Sequence, residues 1–131
     1  MRKNLMLSLV LIILFTGCEK SIQETPISLT GKWTVENQIV KEFANGILGY
    51  SNITPGDGRT IDFQANGNMI ESIPGLPDVS TPYSMKPGSK VEFNGEIYEI
   101  KTLTATNASL FIRRSNPTGE YTQEVTINLK R

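Results

Sequence analysis

The sequence predicts an all-β domain, an antiparallel meander of eight or nine strands that follows an N-terminal segment outside the fold. From Thr30 onward, short runs of alternating or β-branched residues are separated by Gly, Asn and Pro, and no long stretch has helical spacing. Three Asn-Gly pairs, at 45–46, 66–67 and 94–95, provide the residues that two-residue hairpin turns favour. No substantial helix is expected after the N-terminal segment.

The predicted strands cover residues 32–43, 46–51, 59–65, 68–73, 81–86, 89–93, 96–103, 108–114 and 120–130. The last strand is the clearest, because apolar and polar residues alternate from Val125 to Lys130. A meander of this length leaves exposed strand edges unless it closes, so we expect a small barrel of about eight strands. Such a barrel is just wide enough to be filled by side chains or to hold one small ligand.

Two of the Asn-Gly turns predict a strand register. The predicted pairs are Phe93–Glu96 and Val91–Tyr98 around the turn at 94–95, and Phe63–Ile70 and Ile61–Ser72 around the turn at 66–67. Both registers collect apolar residues on one face of the hairpin. Glu96 and Ile97 are the exceptions, because each falls on the face opposite to the one that its polarity favours.

The first eighteen residues have the pattern of an export signal. Arg2 and Lys3 give a positive start, an apolar run of 11 residues follows from Leu5 to Phe15, and small residues lead to Cys18. A membrane-spanning helix needs roughly 20 apolar residues, so a permanent transmembrane anchor is disfavoured. The segment is interpreted as a signal peptide that is removed from the mature protein.

Phe15-Thr16-Gly17-Cys18 resembles the lipobox of bacterial lipoproteins. The resemblance implies cleavage after Gly17 and lipid attachment to Cys18, which is the only cysteine of the chain and so has no disulfide partner within it. Residues 1–17 are thus the predicted signal peptide, 18–29 the lipidated cysteine and a tether, and 30–131 the barrel domain. The expected location is the bacterial cell envelope, on the outer membrane, with a periplasmic or a surface-facing orientation left open.

Several segments look like the lipocalin-like domain common in small lipoproteins of Bacteroides-type bacteria. The segments are Gly31-Lys32-Trp33, 61–67, 98–103, 109–112 and 125–131. The resemblance implies that Trp33 closes one end of a barrel and that Arg131 or Lys130 stacks on its indole. It also implies a small apolar ligand as a partner of the barrel.

Composition disfavours several other functions. The chain has no histidine, which removes the commonest general base and metal ligand, so we expect no enzyme, no catalytic residue, no metal and no cofactor. Without Arg2 and Lys3, 11 basic and 13 acidic side chains remain, a net charge of −2 that is unsuited to nucleic acid. Four neighbouring carboxylates are interpreted as solvent-facing groups: Asp57, Asp62, Glu71 and Asp78.

Two functions remain open. The first is a lipid-anchored binding protein that holds a small apolar ligand inside the barrel, although no ligand-binding residue is predicted. The alternative is a non-enzymatic interaction or inhibitor module that acts through its loops on an unidentified envelope partner. The candidate contact loop of that module is Pro74–Pro82, which contains three prolines and the apolar residues Leu76 and Val79.

Overall fold

The computed structural model describes residues 27–131, and these residues form nine antiparallel strands. The strands are β1 Gly31–Ala44, β2 Ile47–Pro55, β3 Thr60–Phe63, β4 Asn68–Ser72, β5 Val79–Lys86, β6 Lys90–Phe93, β7 Glu96–Leu103, β8 Asn107–Ser115 and β9 Tyr121–Lys130. Eight strands form a ring in the order β1-β3-β4-β5-β6-β7-β8-β9, which closes where β9 pairs with β1, and β2 pairs with β1 outside this ring. The result is a closed eight-stranded barrel with one additional strand, which confirms the all-β prediction.

The additional strand, β2, pairs with β1 on the same edge as β3, because β1 is long enough to pair with both. Residues 31–34 pair with β3, whereas residues 37–44 pair with β2. The other edge of β1 pairs with β9 over almost its whole length, with a bulge at Glu36. We call the β1–β2 hairpin, residues 37–55, the wing. The wing extends beyond the barrel wall.

Gly56 lies where β2 leaves the wing and the chain turns into β3. Its amide donates to the Glu36 carbonyl at 3.1 Å, and the Val35 amide donates to the Arg59 carbonyl at 2.9 Å. A Cβ on Gly56 would lie 1.7 Å from the Val35 carbonyl oxygen, so no other residue fits without backbone movement. This close approach lets β3 replace β2 as the partner of β1.

Two of the three Asn-Gly pairs form the two-residue hairpin turns that the sequence predicts. At 45–46 and 94–95, both residues have positive φ, between 51° and 78°, as a type I′ turn requires. The Phe93–Glu96 and Val91–Tyr98 pairs are confirmed. Around 66–67 the prediction was wrong by one residue, since Phe63 pairs with Met69.

The reason for the slipped register is a longer turn. The amide of Gln64 donates to the Asn68 carbonyl at 2.9 Å, and the Asn66 side chain accepts a hydrogen bond from the Asn68 amide at 3.0 Å. Four residues therefore connect β3 and β4 where two were expected. As a result Met69 is buried, and Glu71, which pairs with Ile61, lies on the same inner face of β4 as Met69. Glu71 was interpreted as a solvent-facing group like Asp62, but only Asp62 lies on the outer face.

The predicted contact loop is also shorter than expected. Residues from Val79 to Pro82 belong to β5 and pair with β4, so the irregular segment covers 73–78 only. Leu76 and Val79 are nevertheless exposed, at 62% and 58%.

Side chains fill the barrel. Fifteen hydrophobic residues are buried, and among the described residues no polar or charged residue is buried. Aromatic rings form a continuous contact inside, with Phe93 stacked on Tyr98 at 4.4 Å between centroids and Phe63 edge-on to Phe93 and Tyr83 at 6.3 and 5.1 Å. The buried face of β9 is Val125, Ile127 and Leu129, as its alternation predicts.

Candidate functional site

The two ends of the barrel differ, and the chain enters at the closed end. Trp33 is fully buried there, and its indole nitrogen donates to the Leu29 carbonyl at 2.7 Å. The Arg131 guanidinium lies 3.9 Å from the centre of the Trp33 ring and donates to the carbonyl oxygen of Thr30. The stacking that the lipocalin resemblance implies is therefore present, and Arg131 rather than Lys130 forms it.

Two residues of the predicted anchor, Gly17 and Cys18, lie outside the described residues. Leu29 was assigned to the tether, but it is only 2% exposed and packs in the core. The fold thus begins slightly before Thr30, and Leu29, which precedes β1, lies beside Trp33 at the closed end. Among residues 27–131, no helix is long and apolar enough to cross a membrane.

Packed side chains occupy the barrel interior, the place where the lipocalin resemblance implies a bound ligand. A cavity with a volume of about 380 Å³ lies on the outer face of β3, β4 and β5. Its lining is mostly polar, and it places Lys32 near Asp62 and Asp78. Across the described part of the chain, no three His, Cys, Asp or Glu residues are grouped as a metal site requires.

The open end of the barrel has a polar network on the inner face of its strands. Arg114 binds both carboxylate oxygens of Glu96, at 2.6 and 2.7 Å, and also donates to the Gln123 side-chain oxygen at 2.8 Å. Gln123 in turn donates to Glu42 of the wing at 3.2 Å. The Tyr98 hydroxyl donates to Glu96 from within the core. The network thus joins β7, β8, β9 and β1.

The charges of this network shift the pKa values of its members. Hydrogen bonds from Arg114 hold the pKa of Glu96 below its ordinary value, and they raise the pKa of Arg114. Burial, followed by the charge of Glu96, raises the pKa of Tyr98. In the predicted hairpin at 94–95, Glu96 is a charged residue on a face that is otherwise apolar. That misplaced charge was the feature of the sequence that could have indicated this network.

A second polar contact lies on the same face. Arg59 donates to Glu71 at 3.0 Å and to Gln38 at 3.3 Å, while its buried Nε atom has no hydrogen-bond partner within residues 27–131. Arg113, the neighbour of Arg114, points to the outer face and pairs with Glu124. The adjacent arginines therefore serve opposite faces of β8.

The wing contributes an aromatic cleft beside this network. A cavity of about 220 Å³ is lined by Glu42, Phe43, Ala44, Gly49, Tyr50 and Tyr121. Tyr50 is 49% and Tyr121 is 43% exposed, and interaction with Glu42 raises the pKa of Tyr121. The sequence prediction assigned none of these residues to a site.

The free edge of the wing is its other distinctive feature. All nine residues of β2 are exposed, none of them is charged, and among the strands of residues 27–131 it pairs with β1 alone. Ile47, Leu48 and Ile53 are 73%, 50% and 63% exposed.

No family model, no curated protein and no solved structure matches this chain.

Proposed function

We propose that this protein is a lipid-anchored, non-enzymatic envelope protein that binds an extended segment of another protein at the free edge of β2. The observation that carries the proposal is the edge itself. It has nine exposed residues and no charged side chain, and one row of its backbone groups pairs with no other strand of the described part of the chain. Proteins normally protect such edges with lysine, proline or short strands, because an unprotected edge pairs with other chains. In β2 the features of this kind are Pro55, at its end, and the bulge at Gly49.

Strand addition suits this surface. In that mode, backbone hydrogen bonds to the edge provide affinity and alternate side chains provide specificity. The apolar side chains of Leu48 and Ile53 lie on one face of β2, because their partners Phe43 and Ile39 lie on one face of β1. An added strand would therefore cover apolar surface as well as backbone groups.

The geometry also fits an anchored protein. β1 runs for 14 residues from the closed end to the tip of the wing, a length of roughly 40 Å at the usual rise per residue. The predicted tether, shortened to residues 19–28 because Leu29 packs in the core, has a flexible reach of roughly 17 Å. With lipid on Cys18, the closed end would face the membrane and the wing would extend away from it, toward a partner.

Charge favours a different protein over a second copy of this chain as the occupant. Within the described residues, Glu42 forms no ion pair, and it lies on the strand next to β2. The β2 strand of a second copy contains no Lys or Arg that could form an ion pair with Glu42. A segment of a different protein that carries a basic residue could form this ion pair. The small apolar ligand has weaker support, because side chains fill the barrel interior.

Site-specific photo-crosslinking in cells tests the proposal. A benzophenone amino acid replaces Leu48 on β2 or, as a matched control, Ile97 on β7, since both side chains are 50% exposed. We expect a crosslink to a different protein from position 48 and none from position 97. Ile53→Lys should abolish the crosslink by placing a charge beside the edge, whereas Ile97→Lys should preserve it.

The crosslinked peptide, identified by mass spectrometry, separates the outcomes. An adduct of this chain with itself would show that the occupant is a second copy and would overturn the choice of partner. Equal crosslinking from both positions, no crosslinking from position 48, or an adduct that survives Ile53→Lys would overturn strand addition.

A further inference from the structure

The register of three strands brings two tyrosines to either side of one carboxylate. Tyr50 on β2 pairs directly with Glu42 on β1, and Tyr121 on β9 pairs with Ala44 two residues further along β1. Paired residues share a face of a sheet, so all four side chains lie on the inner face of the wing. β2 and β9 are separated by two strand spacings, roughly 9.6 Å.

Small residues create the space between the tyrosines. Ala44 lies between the two aromatic strands, and Gly49, at the bulge opposite Glu42 and Phe43, adds no side chain. The cavity of about 220 Å³ is therefore a cleft with tyrosine walls and a carboxylate at one end.

The Glu42 carboxylate has neutral hydrogen-bonding neighbours. Gln123 donates to Glu42 at 3.2 Å, and the Tyr121 phenol faces the same group; both are neutral. The guanidinium of Arg114, the cation of the network, binds both oxygens of Glu96. Among the described residues, no basic side chain forms an ion pair with Glu42 at the end of the cleft.

We propose that the Tyr50–Glu42–Tyr121 cleft binds an organic cation, the guanidinium or ammonium group of a basic side chain. Aromatic faces attract such cations, and a carboxylate pairs with them through charged hydrogen bonds. An anionic or apolar group would instead bury the Glu42 charge without a partner, which is unfavourable. The identity of the donor rests on the proposed function, since a segment added to β2 would lie beside Tyr50 and present the side chain.

Titration of the full chain with small probes tests the site without any partner. The cationic probe is N-acetyl-arginine methyl ester, and the matched neutral probe is N-acetyl-citrulline methyl ester, which has the same shape and no charge. Amide chemical shifts measured by nuclear magnetic resonance report binding at each residue. We expect saturable shifts around Glu42, Ala44, Tyr50 and Tyr121 with the arginine ester, and binding of the citrulline ester that is at least tenfold weaker.

Variants assign the binding to the cleft. Glu42→Gln should weaken binding of the arginine ester about tenfold or more, the effect of losing one charged hydrogen bond. Tyr50→Leu, which removes an aromatic face, should weaken it about fivefold. Glu124→Gln is the control, because Glu124 lies on the outer face of β9 and leaves the cleft unchanged.

Equal binding of both esters, absence of saturable shifts, or unchanged affinity in Glu42→Gln would overturn the proposal. If Glu42→Gln fails to fold, the affinity of the folded Tyr50→Leu variant decides in its place. The result is independent of the crosslinking experiment: ester binding without a crosslink at position 48 would overturn strand addition alone, and a crosslink without ester binding would overturn the cation site alone.

Discussion

Replacement of Arg131 by alanine tests how the closed end of the barrel is stabilised. The Arg131 guanidinium lies 3.9 Å from the centre of the Trp33 ring, and its Nη2 atom donates to the carbonyl of Thr30 and, at 3.4 Å, to that of Ser28. A cation–π contact with an exposed arginine contributes about 1 kcal/mol, and a charged hydrogen bond at the surface about another 1 kcal/mol. Arg131→Ala should therefore lower the free energy of unfolding by about 2 kcal/mol.

Urea denaturation measures this loss, and Trp33, the only tryptophan of the chain, reports it by fluorescence. For a domain of this size the urea midpoint should fall by about 1 M. Lys130→Ala is the matched control, because Lys130 is an exposed neighbour, and it should change stability by less than about 0.5 kcal/mol. Arg131→Lys should recover only part of the loss, since lysine lacks the planar group. An equal effect of Arg131→Ala and Lys130→Ala would refute the stacking argument.

Two further predictions concern the wing and the polar network. Gly56→Ala should destabilise the protein by about 3 kcal/mol in thermal unfolding, because its Cβ would overlap the Val35 carbonyl; a loss below about 1 kcal/mol would contradict the close approach. Arg114→Met should cost about 0.5–1 kcal/mol at pH 7, a value limited by the exposure of the pair. Because the folded-state pKa of Glu96 is lowered, the stabilisation by Arg114 is present above the unfolded pKa of the carboxyl and disappears as pH falls through the folded value. Urea midpoints of wild type and variant should converge as pH falls through the folded-state pKa of Glu96, and a difference that stays constant over that fall would exclude this coupling.

The sequence alone predicts most of the barrel because local signals define its hairpins. Alternation sets the faces of β9, and the Asn-Gly pairs at 45–46 and 94–95 set their turns through positive φ. The pair at 66–67 failed because Asn66 binds the Asn68 amide and opens the turn to four residues. Residue type does not reveal such a competing side-chain hydrogen bond.

The candidate sites were harder to predict because they depend on contacts between distant segments. Glu42 and Gln123 are 81 residues apart in sequence, and only the pairing of β1 with β9 brings them together. The extension of β2 to Pro55 was also missed, since its exposed residues lack the alternation that marks a half-buried strand. Its lack of charge could have indicated an unprotected edge, but only once β2 was known to pair on one side.

The mass of the mature N-terminus tests the central claim, that lipid on Cys18 holds the closed end of the barrel at a membrane. Mass spectrometry of the protein purified from membranes should show a chain that begins at Cys18 and carries the added mass of a diacylglyceryl group. A Cys18→Ser variant should lack this mass and leave the membrane fraction once its signal segment is removed, or remain uncleaved. Recovery of a wild-type chain without acyl mass, or a cleaved Cys18→Ser chain that still partitions with membranes, would contradict the account.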